Sequence, residues 1–233
     1  MIDLNKSYEY FDPDKIPQPV NIVGCGALGS HMAEMLTRLG VQKFVLYDDD
    51  IVSSHNIANQ NFIFDDIGKP KVQVVADRIK AINPDAQVIV NNCRLEKDGM
   101  AGMVGTIVAC VDSIEPRKML AQYWNLTDAT WYVDVRMALT SGTAYVYKDF
   151  YKFKAQKDNY LNTECNFSDA DADANTPVTA CGFTLSVLYS IWGVCALAER
   201  MLINAITDNK VASKGYITFD GQGFISSDIY NIQ

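Results

Sequence analysis

The chain has 233 residues, 48% of them hydrophobic and 21% charged, with a formal net charge of −8. That is apolar material enough for one large α/β domain, or one domain with an appendage. The acidic balance argues against nucleic acid or an anionic membrane as a non-specific partner, since both require basic patches. No stretch approaches a membrane span and Met1 to Lys6 carry no apolar signal region, so a cytoplasmic protein is expected.

Residues 1–18 are polar, punctuated by Tyr8, Tyr10, Phe11, Pro13 and Pro17, and read as an N-terminal arm lying over the domain. Pro19 to Val23 is a short apolar run that predicts a strand. Ser30 to Leu39 carries Met32, Met35, Leu36 and Leu39 at helical spacing and stops at Gly40. Between them stands Gly24-Cys25-Gly26-Ala27-Leu28-Gly29, so the unit is strand, glycine turn, helix. The first glycine permits the turn, the second lets backbone approach a phosphate, and the third lets helix pack on strand. The helix start then offers free N–H groups and part of a positive charge to an anion. Lys43 to Tyr47 predicts a second strand, ending in Asp48-Asp49-Asp50, where an acid would hold a ribose.

Ile51 to Phe62 reads as a loop with a short helical turn at the carboxyl ends of the strands, and Lys71 to Ile82 as a helix burying Val72, Val75, Ile79 and Ile82. Strands are expected at 87–90, 106–110, 130–135 and 142–147, a short, helical piece at 97–104, and a helix over 115–124. This alternation predicts a Rossmann-like, doubly wound, mostly parallel α/β sheet, with ligands at the carboxyl ends of its strands. Residues 19–150 form its nucleotide-binding part. Residues 151–233 add a crossover loop, a long apolar helix from Cys181 to Ala205, and a closing antiparallel hairpin around Gly221-Gln222. That helix, apolar on most sides, is expected to be central or part of a subunit interface. Asp169, Asp171, Asp173 and Asn175 have the opening spacing of a calcium loop, but Ala174 and Ala180 replace its required Gly and Glu, which favours a solvated acidic loop. Of six cysteines, Cys93, Cys110 and Cys195 lie in apolar runs and are expected in the core; a disulfide framework is not expected.

Asp48, Asn56, Gln60, Lys71 and Asp112 thus fall in order around one edge. Each has a plainer reading: Asp48 as a loop cap, Lys71 as a solvated lysine, Asp112 as the N-cap of the helix that follows. Taken together they supply a ribose acceptor, amides for phosphates, a phosphate lysine and a magnesium carboxylate.

The chain resembles the ThiF/MoeB family, adenylyltransferases related to ubiquitin-activating enzymes, and within it a short bacterial and phage-type branch. The resemblance runs from about Asn21 to Asn204. It rests on Val-Gly-Cys-Gly-Ala-Leu-Gly-Ser at 23–30, on Asp48-Asp49-Asp50-Ile51-Val52 with Asn56 and Gln60, and on Asp66-Ile67-Gly68-Lys69-Pro70-Lys71. Ile82-Asn83-Pro84, Cys110-Val111-Asp112 and Asp134-Val135-Arg136-Met137 extend it. It implies ATP-dependent activation of the C-terminal carboxylate of a small ubiquitin-like or sulfur-carrier protein ending in Gly-Gly, by a homodimer. ATP would lie over Gly24, Gly26, Ala27 and Gly29. Asp48, with Asp50 beside it, would hold the ribose; Asn56, Gln60 and Lys71 would line the triphosphate; Asp112 would hold Mg2+. Cys181 corresponds to the family cysteine that forms a thioester or disulfide-linked intermediate, and a structural thiol is the equal alternative.

Three departures follow. Asn59 stands where well-known members carry arginine, and no Arg-Tyr-x-Arg-Gln arm precedes Asn21. Arg136, or Arg117, is the candidate to replace those arginines at the transition state. The two CxxC pairs of zinc-binding members are missing, so no zinc is expected. A catalytically weak nucleotide-binding scaffold is therefore the serious alternative. An NAD-dependent dehydrogenase shares the glycine turn but leaves Lys71 and Asp112 unexplained.

Overall fold

Short β-rich runs alternate with amphipathic segments along the first half of the chain, and in the computed structural model they build one mixed sheet. The structure describes residues 2–149, 154–168, 170–171, 185–208, 214–219 and 225–230. The strands are β1 (Val20–Val23), β2 (Lys43–Tyr47), β3 (Gln87–Asn91), β4 (Val104–Ala109), β5 (Asp128–Met137), β6 (Ser141–Lys148), β7 (Lys214–Phe219) and β8 (Ile225–Tyr230). The helices are α1 (Ala27–Leu39), α2 (Lys71–Ile82), α3 (Ile114–Gln122), α4 (Lys154–Asn159) and α5 (Leu188–Asp208).

The sheet order is β3-β2-β1-β4-β5-β6-β7-β8. β3 to β5 run parallel, and β6, β7 and β8 add antiparallel. This is the expected Rossmann-like sheet with an antiparallel end. Side chains of α1, α2 and α5 share one core with Ile22, Leu46 and Val133, while α3 packs with Ile107 and Tyr132 in a second core. The chain therefore changes face between β1 and β4. In open α/β sheets that switch point, at the carboxyl edge, is where ligands bind.

Local chemistry sets the element ends. Gly40 closes α1 at φ +114°, a left-handed conformation that suits glycine, and its N–H returns to Leu36 and Thr37 carbonyls. The N-terminal arm is tied down by buried Phe11, Pro13 and Ile16, and by Gln18 Oε1, which accepts the Gln42 and Lys43 N–H groups at 2.9 Å. The loop after β2 contains a 3-10 turn over Ser54–Ala58, and the stretch expected to be helical near residue 97 is a 3-10 turn over Lys97–Met100 that gives way to β4.

Several expectations change. Cys93 is exposed, because β3 ends at Asn91 on the sheet edge and the chain leaves the core there; Cys110 and Cys195 are buried as expected. α5 begins at Leu188 rather than Cys181. It buries Ile191, Val194, Cys195, Ala198 and Met201 but exposes Tyr189 and Trp192, so it covers the sheet with one face. The helix expected over 115–124 spans Ile114–Gln122, followed by a 3-10 turn over Trp124–Leu126. Cys181, residues 172–180 of the acidic loop, and the turn at Gly221-Gln222 lie outside the described residues. Among the described residues, no helix is long and apolar enough to cross a membrane.

Candidate active site

The glycine turn leaves β1 and is bounded on both sides by what β1 pairs with. Gly24 has φ +89°, and a Cβ there would stand 2.8 Å from the Cys110 carbonyl oxygen at the end of β4. A Cβ on Gly29 would stand 1.8 Å from the Gly24 carbonyl oxygen. The fold itself demands these two glycines. Gly26 is different: a Cβ there meets only Gln60 Oε1, at 3.8 Å, an ordinary contact. The protein leaves the space in front of Gly26 open, which is what a backbone approached from outside requires.

Asp48, at the end of β2, fastens this turn. Its Oδ2 accepts the Cys25 N–H at 2.6 Å and its Oδ1 accepts the Asp50 N–H at 2.8 Å. Burial holds the carboxyl above the usual aspartate range, opposed by those two N–H groups and by Lys71 nearby. Lys71, in the first turn of α2, is not the solvated lysine of the plainer reading. Its side chain is 8% exposed and its Nζ lies 2.7 Å from Asp50 Oδ2, on a side chain 65% exposed. The Lys71 N–H also donates to the Asp50 carbonyl, at 2.9 Å. A buried ammonium paired to one solvent-exposed carboxylate keeps donors for a second anion.

Asn56 is buried, and its Oδ1 accepts the Ser53 N–H at 2.8 Å and Oγ–H at 2.9 Å. Its carbonyl accepts the Gln60 N–H at 2.9 Å. Asn56 therefore shapes the turn that carries Gln60 to Gly26, and Gln60 Oε1 is buried there with no hydrogen-bond partner among the described residues. Asn59 donates from Nδ2 to Ser186 Oγ, while its own Oδ1 is buried and likewise unpartnered.

Asp112 follows β4 and is exposed, with no hydrogen bond or ion pair among the described residues. The N-cap of α3 is Ser113, which removes the plainer reading of Asp112 as a cap. The carboxylates of Asp48, Asp49 and Asp50 lie within 4.8 Å of one another, but Asp48 and Asp50 already serve N–H groups and Lys71. Asp49 faces Arg94 at 3.8 Å. Asp112 has no partner for its carboxylate among the described residues, and hard oxygen donors of this kind suit Mg2+. Because β1 lies between β2 and β4, the glycine turn stands between Asp48 and Asp112. Around the turn formed by Gly24, Gly26, Ala27 and Gly29, Asp48 binds Cys25, Lys71 binds Asp50, and Gln60 faces Gly26, with Asp112 following β4 on the far side of β1 from β2.

Arg136 does not join them. Its Nε donates to Asp134 Oδ2 at 2.7 Å, Nη1 to the Glu164 carbonyl at 2.5 Å and Nη2 to Tyr160 Oη at 3.0 Å, with the Tyr145 ring 4.8 Å away. Asp134 also binds Arg117. In the sequence Asp134 figures only in the Asp134-Val135-Arg136-Met137 motif, without a role, and Tyr160 and Glu164 are not singled out; a lone aspartate inside the run Trp-Tyr-Val-Asp-Val was the available signal, since a charge buried in a strand needs partners. Of the cysteines, burial pushes the Cys25 and Cys195 thiols well up and Cys110 up to about 12, so these three remain inert thiols. An open depression of about 370 Å³, lined by Asp14, Ile16, Pro17, Gln18, Gln42 and Lys43, holds none of the candidate residues.

Residues 17–229 match the family model described as ThiF. Ubiquitin-like modifier-activating enzyme 5 of Culex quinquefasciatus is 34% identical over 48% of this chain and 32% of its own length. The Dictyostelium discoideum protein of the same name is 36% identical over 44% of this chain and 31% of its own. The matched part thus spans about a third of these curated relatives. Among solved structures, PaaA superposes with a TM-score of 0.65 at 17% identity, covering 98% of this chain and 69% of PaaA. Escherichia coli MccB crystallised with ATP gives 0.63 at 18% identity, covering 93% of this chain and 65% of MccB. At such identities the structural likeness speaks for the fold.

Proposed function

The chain belongs to the ThiF family, and on that premise we propose that it binds ATP over the glycine turn and adenylates the terminal carboxylate of a ubiquitin-like protein or a peptide. The observation that carries this reading is the arrangement around β1: an open backbone at Gly26, a buried lysine at the start of α2 paired to Asp50 just beyond β2, and an exposed carboxylate after β4 with no partner among the described residues. A hydride-transfer enzyme has no use for the last two.

In this reading the N–H groups of the turn and the start of α1 hold the phosphates, with Lys71 adding positive charge and Gln60 lining the same side. Asp48 holds the ribose while keeping the turn closed. Asp112 holds Mg2+, whose charge offsets that of the phosphates when it is bound. The carboxylate oxygen of the partner attacks the α-phosphorus; the bond to the β,γ unit breaks and pyrophosphate leaves with the electron pair. The residues act by positioning and charge neutralisation. The names of the relatives, an enzyme activating a ubiquitin-like modifier and MccB solved with MccA, support a protein or peptide end as the acceptor. A small carrier ending in Gly-Gly, a homodimer, and a later thioester or persulfide step at Cys181 are the finer parts of the proposal.

The test is ATP–pyrophosphate exchange in the presence of small Gly-Gly-terminated proteins and, separately, of short peptides. The expected result is partner-dependent exchange that falls about 100-fold or more in Asp112→Ala. Tight ATP binding without exchange in either class would establish the second reading, a nucleotide-binding scaffold. That reading is favoured by one observation: Arg136, the candidate replacement for the missing arginines, has its donors engaged by Asp134, Glu164 and Tyr160.

A further inference from the structure

We infer that Arg117 is a positioning residue for Asp112, held in place by Asp134. The inference rests on the reading of Asp112 as the metal carboxylate and adds the device that aims it.

Asp112 sits in the turn between β4 and α3, and that turn lacks the usual fastening. Ser113 is the N-cap of α3, but its side chain makes no capping bond. The fastening comes from inside the helix instead. Arg117 is buried, and its Nη2 donates to the carbonyl of Val111, the residue immediately before Asp112. Its Nη1 donates to Asp134 Oδ1, and to the Val135 carbonyl at 3.2 Å. The guanidinium thus straps the end of β4 to the end of β5, which are neighbours through the Ala109–Asp134 pairing.

Asp134 allows this strap one orientation. It is fully buried, and its other oxygen accepts Arg136 Nε at 2.7 Å and Tyr160 Oη–H at 2.7 Å. A planar fork with both ends engaged, against a carboxylate with both oxygens engaged, cannot rotate without leaving buried charge unpaired. Asp112's own carboxylate takes no partner among the described residues, so its direction follows the backbone that Arg117 holds. Groups that orient a metal ligand typically change metal affinity by about 10–100-fold when removed.

The test uses the full chain, a non-hydrolysable ATP analogue and Mn2+ as the probe, with free Mn2+ read by electron paramagnetic resonance. Arg117→Lys keeps a cation opposite Asp134 but loses the fork to Val111. It is expected to bind Mn2+ about 10-fold more weakly while its metal-free affinity for the analogue stays at the wild-type value. Tyr160→Phe leaves Asp134 Oδ2 engaged by Arg136 Nε and the Arg117–Val111 bond untouched, and is expected to keep wild-type Mn2+ affinity. Wild-type Mn2+ affinity in Arg117→Lys, or equal losses in both variants, overturns the inference alone. Wild-type Mn2+ affinity in Asp112→Ala overturns the assignment of Asp112, and the inference with it. Should Arg117→Lys fail to fold, backbone order parameters of the metal-free wild type decide: Val111 to Ser113 as rigid as β4, about 0.85, support the strap, and values below about 0.6 overturn it.

Discussion

Asp48 Oδ2 accepts the Cys25 backbone N–H at 2.6 Å, so the acid that ends β2 also closes the turn that leaves β1. One carboxylate therefore has two duties, and they can be separated by substitution. Asp48→Asn keeps an oxygen for one N–H but turns an NH2 toward the other, setting donor against donor. Affinity for ATP is expected to fall about 10-fold or more, in keeping with the loss of a hydrogen bond to a charged group, as measured by calorimetry. Burial raises the folded-state pKa of Asp48, so the folded chain binds this proton more tightly than the unfolded chain does. Stability from this group is full below the unfolded aspartate value, near 4, and is lost as pH rises from there through the raised folded pKa. Urea unfolding at several pH values should show that fall reduced in Asp48→Asn.

The glycines of the turn should divide by cause. Gly29→Ala forces a methyl to within 1.8 Å of the Gly24 carbonyl oxygen, and is expected to destabilise by at least about 1–3 kcal/mol, the usual cost of overpacking. Gly26→Ala has room in the protein and is expected to stay within about 1 kcal/mol of wild type, yet to weaken ATP binding. Paired unfolding and nucleotide titrations check this; a Gly26→Ala chain that binds ATP normally would remove the phosphate from in front of Gly26.

Lys71 distinguishes an ion pair kept for stability from one kept for a ligand. Its partner Asp50 is 65% exposed and rehydrates when the lysine is removed. Lys71→Met is therefore expected to change stability by less than about 1 kcal/mol, since the carboxylate left behind faces water and the methionine fills the buried lysine's place. The same variant should lose pyrophosphate exchange by about 100-fold, because a cation aimed at phosphate is gone. A large loss of stability with unchanged exchange would make the pair structural.

The antiparallel end of the sheet carries its own pH dependence. Burial alone would raise the Glu164 carboxyl, but hydrogen bonds from Lys214 Nζ, at 2.8 Å, and Tyr145 outweigh it and hold the pKa below the ordinary glutamate value. A depressed acid adds stability above its unfolded pKa and loses it as pH falls through the folded one. Stability should drop on acidification below about pH 4.5, the range where glutamate titrates, and the drop should be smaller in Glu164→Gln. Thermal unfolding across that range measures it.

What the sequence determined by itself was local. The runs at 20–23, 43–47 and 87–91, the helix at 71–82 and the glycine turn were legible because strand and helix periodicities repeat within a few residues, and because glycine at a strand–helix junction has few other uses. The gathering of Asp48, Lys71 and Asp112 on one edge followed from the alternation of those elements. Tertiary structure alone decided which side chains were free. Lys71 and Arg136 both read as cations available to phosphate; packing leaves Lys71 beside the turn with a solvated partner and commits Arg136 to a buried aspartate, a tyrosine and a carbonyl. Asp112 read as a ligand with a cap as the lesser alternative until Ser113 took the cap position and Arg117 took the carbonyl beside it. The cause is the cost of burying charge: a buried ion must find partners from distant segments, such as Tyr160 and Arg117 on Asp134, and no local pattern encodes which segments those are.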